Sequence, residues 1–479
     1  MRPARAIRCG PGNEAFARRD WDTAVELLTA ADSTGGLGAE DLERLAEAAL
    51  WADRHQASFA ANQRADQEHI REGRPRRAAF VALMLVIHYA VRLELAAAEG
   101  WFAKARRLLE AEAEGPEHGY RALVAALFAE ANAEWDAVYD SGLEMHEIGC
   151  RHGDADLEAL GLTFQGLVLA RRGEITEGMR LLDEAMASAT GGELGMLVTG
   201  IVYCRMMSAC VERYDYRRAG EWTDVVETCR ATNGMGGFPG DCRTHRAAVL
   251  LMRGARAEGE QEALRAVEDL QGFNLLHIGL ALYELGEIRL RQGDLDGAEE
   301  ALLRAHELGF VPQPGMALLR LARADSAAAA ASIDTALADA SLDRLARSRL
   351  LPARVEIALA VEDHASARSA VAELEETAET YGIPALDAAA EQARGELELV
   401  TGDAAEAARR LVSAQRLWQR VEAPYEAARA RELLAEARLA RGDRESAVLE
   451  LRAAFSAFER LGARRDVERS DRRMAELAA

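Results

Sequence analysis

Apolar and small residues recur along this chain at three- and four-residue spacing. Each such stretch is broken by a short polar phrase containing Gly or Asp, after which the helical pattern resumes. "ARRDWDTAVELL" starts at Ala17, "ARRGEITEGMRLL" at Ala170, "LRQGDLDGAEEALL" at Leu290, "VTGDAAEAARRL" at Val400 and "ARGDRESAVLEL" at Ala440. The spacing of apolar positions predicts amphipathic helices. Gly supplies the left-handed residue that ends one helix cheaply, and the polar residue after it caps the next. The small residues Ala24, Ala298, Ala407 and Ala447 let paired helices approach closely.

The turns fall near Gly173, Asp215, Gly254, Gly293, Asp325, Asp363, Gly402 and Gly442, at spacings of 42, 39, 39, 32, 38, 39 and 40 residues. A steady period of this size predicts a solenoid of helix pairs, because one hairpin cannot bury its apolar stripe alone and must stack on its neighbours. The expected fold is all-α: an α-solenoid of about twelve hairpins forming a right-handed superhelix. The expected limits are 11–33, 39–73, 75–113, 116–152, 154–191, 193–233, 240–272, 275–309, 313–339, 341–382, 384–421 and 423–461. An N-terminal extension (1–12) precedes the array (13–462), and a charged helix (463–479) caps it. The short spacing and alanine-rich run near 311–340 predict trimmed helices there.

Composition agrees. Ala, Leu, Glu and Arg dominate, proline numbers only 10, and aromatics make up 5%. These are strong helix formers. The net charge of −22 lowers the expectation of nucleic-acid or anionic-membrane binding. The run Ala78–Gly100 is the most apolar early stretch, but His88, Arg92 and Glu94 interrupt it, so it reads as a buried helix. The N-terminus carries no apolar segment of the signal-peptide kind, and six scattered cysteines without a CxxC pair read as reduced thiols, so a cytoplasmic location is expected.

The hairpins resemble tetratricopeptide repeats, somewhat lengthened. The phrases "EGPEHGYRALVAAL", "GLVLARRGEITEGMRLLDEAMASATGGELG", "VYCRMMSACVERYDYRRAGEW" and "APYEAARARELLAEARLARGDRESAVLELRAAFSAFERLGA" resemble the repeat region of large actinobacterial LuxR-type transcriptional regulators. Those regulators carry a C-terminal helix-turn-helix module, and some an N-terminal nucleotide-hydrolysing domain. Neither the opening phrase of the former nor a GxxxxGK[ST] loop occurs here. The resemblance therefore implies the sensory or interaction part of such a regulator, with no direct DNA binding expected; a truncated DNA-binding regulator is a further alternative.

Metal and catalytic readings are weak. Cys204 and Cys210 lie six residues apart, roughly 120° apart around a helix, so they do not face one ion. Cys242 and His245 share a face, as do His146 and Cys150, but two ligands are too few for zinc. "GMGGFPG" (234–240) follows a helix and lacks the lysine of a phosphate loop. No nucleophile motif is present, and no metal or cofactor is expected; an enzyme or metal binder using Cys242 and His245 is the rival reading. The first helices of stacked hairpins line the concave groove. Tyr203 and Arg205 on one of them, with Arg243 and His245 on the next, are the candidate groove residues. The expected function is non-catalytic capture of a peptide, partner protein or small effector.

Overall fold

The structure, a computed structural model, describes the backbone of residues 3–233 and 239–478, and side chains within 10–477 apart from residues 216, 227, 229–233 and 239–242. Most of the glycine-rich loop at 234–240, the side chains of Cys9, Cys229 and Cys242, and that of Tyr216 thus lie outside the described residues.

Among the described residues the chain is helices and turns, with no strand. The helices pair as α1 (Pro3–Ala17) with α2 (Trp21–Gly35), α3 (Ala39–Trp51) with α4 (His55–Arg71), α5 (Pro75–Val91) with α6 (Leu95–Leu109), and α7 (Pro116–Ala131) with α8 (Trp135–His152). There follow α9 (Ala155–Arg171) with α10 (Ile175–Gly191), α11 (Met196–Glu212) with α12 (Tyr216–Asn233), α13 (Pro239–Met252) with α14 (Arg256–Leu270), and α15 (Leu275–Gln292) with α16 (Leu295–Glu307). Then come α17 (Gly315–Ala322) with α18 (Ser326–Leu337), and α19 (Arg344–Ser348) and α20 (Leu351–Ala360) with α21 (His364–Tyr381). The last pairs are α22 (Pro384–Thr401) with α23 (Ala404–Arg420) and α24 (Pro424–Ala440) with α25 (Arg444–Leu461), and α26 (Arg464–Ala478) follows. The all-α solenoid of tetratricopeptide-like hairpins read from the sequence is thus the fold. Near 311–340 the helices are short, 8 residues in α17 and 12 in α18. The first half of the next pair is broken in two, α19 and α20, which the periodicity did not reveal.

The turn chemistry explains the regularity. In the hairpins of the second half, α13–α14 excepted, one residue at positive φ is followed by an Asp that caps the next helix. Gly293 (φ 88), Gly402 (φ 100) and Gly442 (φ 79) are followed by Asp294, Asp403 and Asp443, whose carboxylates accept the N–H groups of Gly297, Glu406 and Ser446. Each cap satisfies a helix N–H that would otherwise lack a partner. Tyr214 occupies the glycine position of its hairpin at φ 55, a conformation that disfavours a side chain with a Cβ.

Close approach is built from glycines. A Cβ on Gly161 of α9 would lie 2.5 Å from the His146 nitrogen of α8, and one on Gly178 of α10 would lie 2.6 Å from the backbone oxygen of Gly166. The core is a chain of clusters. The largest runs from α7 to α13 and includes Leu123, Met145, Phe164, Leu182, Val202 and Met206, all buried.

Neighbouring first helices touch one another directly, α5 with α7, then α9, α11, α13, α15 and α17 in succession. Second helices scarcely meet; α10 and α12 are the exception. The array therefore curves with its first helices on the inside. It curls far enough that distant hairpins meet. Arg171 at the end of α9 donates to Glu212 at 2.6 Å and to Asp343, lies 4.1 Å over the Trp135 ring, and offers its carbonyl to the Tyr381 hydroxyl at 2.8 Å. Arg291 of α15 donates to Glu426 of α24 at 3.0 Å. His55 stacks on Phe273 with ring centroids 3.9 Å apart. These contacts form a seam between successive turns of the superhelix.

Candidate functional site

The inner layer carries a row of side chains, one from each of five successive first helices: Glu130, Phe164, Arg205, His245 and His277. Arg205 bridges the row. Its Nη1 donates to Glu130 Oε1 at 2.5 Å and its guanidinium lies 5.3 Å from the Phe164 ring centroid. Both members of that ion pair are half-buried, so the charge is partly withdrawn from water and its partner is close.

His245 is 4% exposed, and its ring centroid lies 6.2 Å from that of His277, edge to face. Its Nε2 is buried without a hydrogen-bond partner. Burial first, then the neighbouring His277 and Arg205, push its pKa down from 6.5 to about 3. The ring is neutral across the physiological range, far from the poise that acid–base catalysis requires. His277 is oriented by Asn274, whose Nδ2 donates to His277 Nδ1 at 2.8 Å.

The other two candidates point elsewhere. Tyr203 is 3% exposed, and its hydroxyl lies 3.1 Å from Thr223 Oγ1, inside the α11–α12 hairpin. Arg243 is spent on α14, donating to Glu262 at 3.0 Å and Asp269 at 2.9 Å. The structure thus brings Arg205 and His245 together on the inner row. Tyr203 and Arg243 tie first helices to second ones. Glu130, Phe164 and His277 were not read from the sequence, although their spacings from Arg205 and His245 (34, 41, 40 and 32 along the row) follow the repeat period.

Farther along the inner layer, α15 presents Tyr283, Glu284 and Glu287, all buried. Tyr283 donates to Glu287 at 3.4 Å. Burial pushes Glu284 up to about 7, opposed by Arg349 and Arg291. Cys210 is buried, and burial pushes its thiol well up, away from nucleophilic use. Cys204 lies elsewhere on the same helix, half-buried, and Cys150 is exposed with its Sγ 3.7 Å from His146 Nε2. Among the described residues no three His, Cys, Asp or Glu side chains gather as metal ligands. Among them also, no helix is long and apolar enough to cross a membrane.

No family model matches the sequence. Nor does any curated protein. Among solved structures the chain is similar to a Rap protein complexed with competence and sporulation factor, with TM-score 0.41, 14% identity, and coverage of 80% of this chain and 99% of that one. It is also similar to a chain of the APC/C hetero-tetramer Cut9–Hcn1, with TM-score 0.39, 11% identity, and coverage of 96% and 95%. Yeast Tom70 follows at TM-score 0.36, 12% identity, and coverage of 98% and 96%.

Proposed function

We propose that this chain is a non-catalytic binding scaffold whose inner layer captures a peptide or a segment of a partner protein. The observation that carries the reading is the row from Glu130 to His277. Five first helices each contribute one side chain to it, with Phe164 and His245 buried beneath, and the charge at Arg205 is paired across helices with Glu130. An extended polypeptide laid along the row would exchange that pair for its own carboxylates and amides, with Phe164 and His245 packed behind it. Arg205 and His245 are the groove residues in this proposal, with Tyr203 and Arg243 holding α12 and α14 behind them. In the present conformation Glu130, Arg205 and His277 are half-buried and Phe164 and His245 fully so, and in this proposal entry requires the superhelix to loosen at seam contacts such as Arg171–Asp343. Repeat arrays change curvature through small rotations between hairpins, which makes such loosening accessible.

The regulatory part of the proposal rests on the resemblance of the repeat phrases to those of LuxR-type regulators. Binding would alter a transcription or signalling complex in the cytoplasm, with a small effector as a further class of ligand and no direct DNA contact. In the same reading, residues 13–462 form the array and 463–479 its polar cap.

The test is a displayed library of short peptides selected on the whole chain, with affinities then read by fluorescence anisotropy. Arg205→Ala should weaken the selected peptides by about tenfold. Arg217→Ala, which removes an exposed i,i+4 pair with Glu221, should leave them unchanged. Equal binding to wild type and Arg205→Ala would sink the proposal.

A further inference from the structure

A second site lies away from the inner row. The turns at Gly254 and Gly293 meet the junction of α25 and α26 at Gly462, and the three enclose a cleft of about 1170 Å³. The approach is close: a Cβ on Gly254 would fall 2.2 Å from Leu461 Cδ2, and one on Gly293 would fall 3.5 Å from the Arg465 backbone nitrogen.

The N-termini of three helices, α14, α16 and α26, line this cleft. Each directs its partial positive charge there. The α16 terminus is satisfied, because Asp294 accepts from Gly297. The α14 terminus is not. From the sixth hairpin to the twelfth, Asp215, Asp294, Asp325, Asp363, Asp403 and Asp443 each accept a backbone N–H at the start of the second helix. In the seventh hairpin the equivalent position is Ala255, which offers no side-chain acceptor.

Arginines reinforce this charge. Arg460, Arg464, Arg465 and Arg472 line the cleft, are exposed, and have no carboxylate partner among the described residues. Arg256 lines it from the buried side. It is 3% exposed, and its Nε and Nη2 have no hydrogen-bond partner. Its remaining contacts are a long bond to the Arg291 carbonyl at 3.5 Å and the Tyr425 ring, 4.7 Å from its guanidinium. Burial, and then repulsion from Arg291, lower its pKa to about 10. A buried guanidinium with unmatched N–H groups is destabilising unless an anion compensates it.

The cleft also holds acids. Glu260 is held by Arg289 at 3.1 Å and Asp294 is engaged in its cap, which leaves Glu258 and Glu468 at the rim. Two rim carboxylates on a chain of net charge −22 repel a long polyanion but suit a small ligand with hydroxyl or amino groups beside its phosphates.

We propose that this cleft binds a small molecule carrying more than one phosphate group, of nucleotide size. Arginine forks and uncapped helix N-termini both match phosphate oxygens. The volume exceeds what one inorganic phosphate needs and is of the order found in small-ligand sites, roughly 300–1,000 Å³.

Isothermal titration of the whole chain at low salt tests this, with inorganic pyrophosphate, a nucleoside triphosphate and a hexaglutamate peptide as probes. At least one phosphate probe should bind at submillimolar concentration. A triphosphate bound more tightly than pyrophosphate assigns the cleft to nucleotides, and equal binding assigns it to the phosphates alone. Arg464→Ala/Arg465→Ala should weaken binding by about tenfold or more. Ala255→Asp should do the same by placing a carboxylate where the anion sits, while its melting temperature stays at or above that of wild type because the helix gains its missing cap. That combination separates loss of a site from loss of fold. No heat at millimolar phosphate ligand, binding untouched by both variants, or binding of hexaglutamate in preference to both phosphate probes would overturn the proposal.

Discussion

Replacing His245 by glutamine should remove a pH dependence that the wild-type chain carries at the centre of its inner row. In the folded protein the imidazole is held neutral, its pKa pushed from 6.5 down to about 3 by burial, His277 and Arg205. In an opened segment the same ring titrates normally. Above pH 6.5 neither state binds the proton, and the folded state keeps its full stability. Between 6.5 and 3 only the opened state binds it, so stability falls as pH falls. From pH 7 to pH 5 the opened state gains about RT ln(33/1.3), roughly 2 kcal/mol or some 25-fold in the opening constant.

The whole-chain slope does not isolate this contribution. Burial raises Glu284 and Glu396 to about 7, and a raised carboxylate adds stability as pH falls, the opposite sign. The measurement must therefore be local and differential. Native-state hydrogen exchange reports the opening free energy of individual helices. For amides of α13 the pH 7 to pH 5 loss should be about 2 kcal/mol greater in wild type than in His245→Gln, whatever the variant's stability at pH 7. Parallel slopes in the two proteins would refute the claim that His245 is buried as a neutral ring.

Other outcomes follow from the packing. Gly161→Ala should lower the melting temperature: the gain in helix propensity is about 1 kcal/mol, but the new methyl meets the His146 nitrogen at 2.5 Å and the Gly142 carbonyl at 2.7 Å, backbone atoms that cannot rotate away, at a cost of about 1–3 kcal/mol. Asp154→Ala should cost about 1 kcal/mol in thermal or urea melts, since its carboxylate accepts the Leu157 N–H at 3.1 Å and caps α9. Arg171→Ala should open the seam. It strands Glu212 and Asp343, and because all three side chains are only partly buried the cost should be about 1–3 kcal/mol, below that of a fully buried pair. Hydrogen exchange should accelerate in α19 and the end of α21 but not in α3 or α4, and unchanged exchange in α19 would show that Arg171 does not hold the turns together.

The hairpins were legible because their causes are local. A left-handed Gly and a capping Asp at Gly293–Asp294, Gly402–Asp403 and Gly442–Asp443 act within a few residues, and their repetition sets the period. Arg205 could be placed on an inner face by the same register. Tyr203 could not be told from a groove residue, because its assignment turns on the Thr223 hydroxyl two helical turns into the partner helix. Arg243 shows the same limit: position on a first helix does not say whether a long side chain reaches inward or is captured by Glu262 and Asp269 behind it.

The seam lies beyond what any local signal encodes. Arg171 and Asp343 are 172 residues apart, and their meeting depends on the accumulated rotation of every hairpin between them. The same accumulation brings the turn at Gly254 against Leu461 and so builds the arginine cleft. Both features therefore report on superhelical curvature, the variable a bound polypeptide would change. If both proposed sites bind, that variable would couple the inner row to the cleft. A ligand that closed the cleft would draw the α14 and α16 turns toward α26 and so bias the pitch at which the inner row opens. Linkage then requires the coupling to be mutual. A phosphate ligand that changes peptide affinity at Arg205 must have its own affinity changed by the same factor when the peptide is bound.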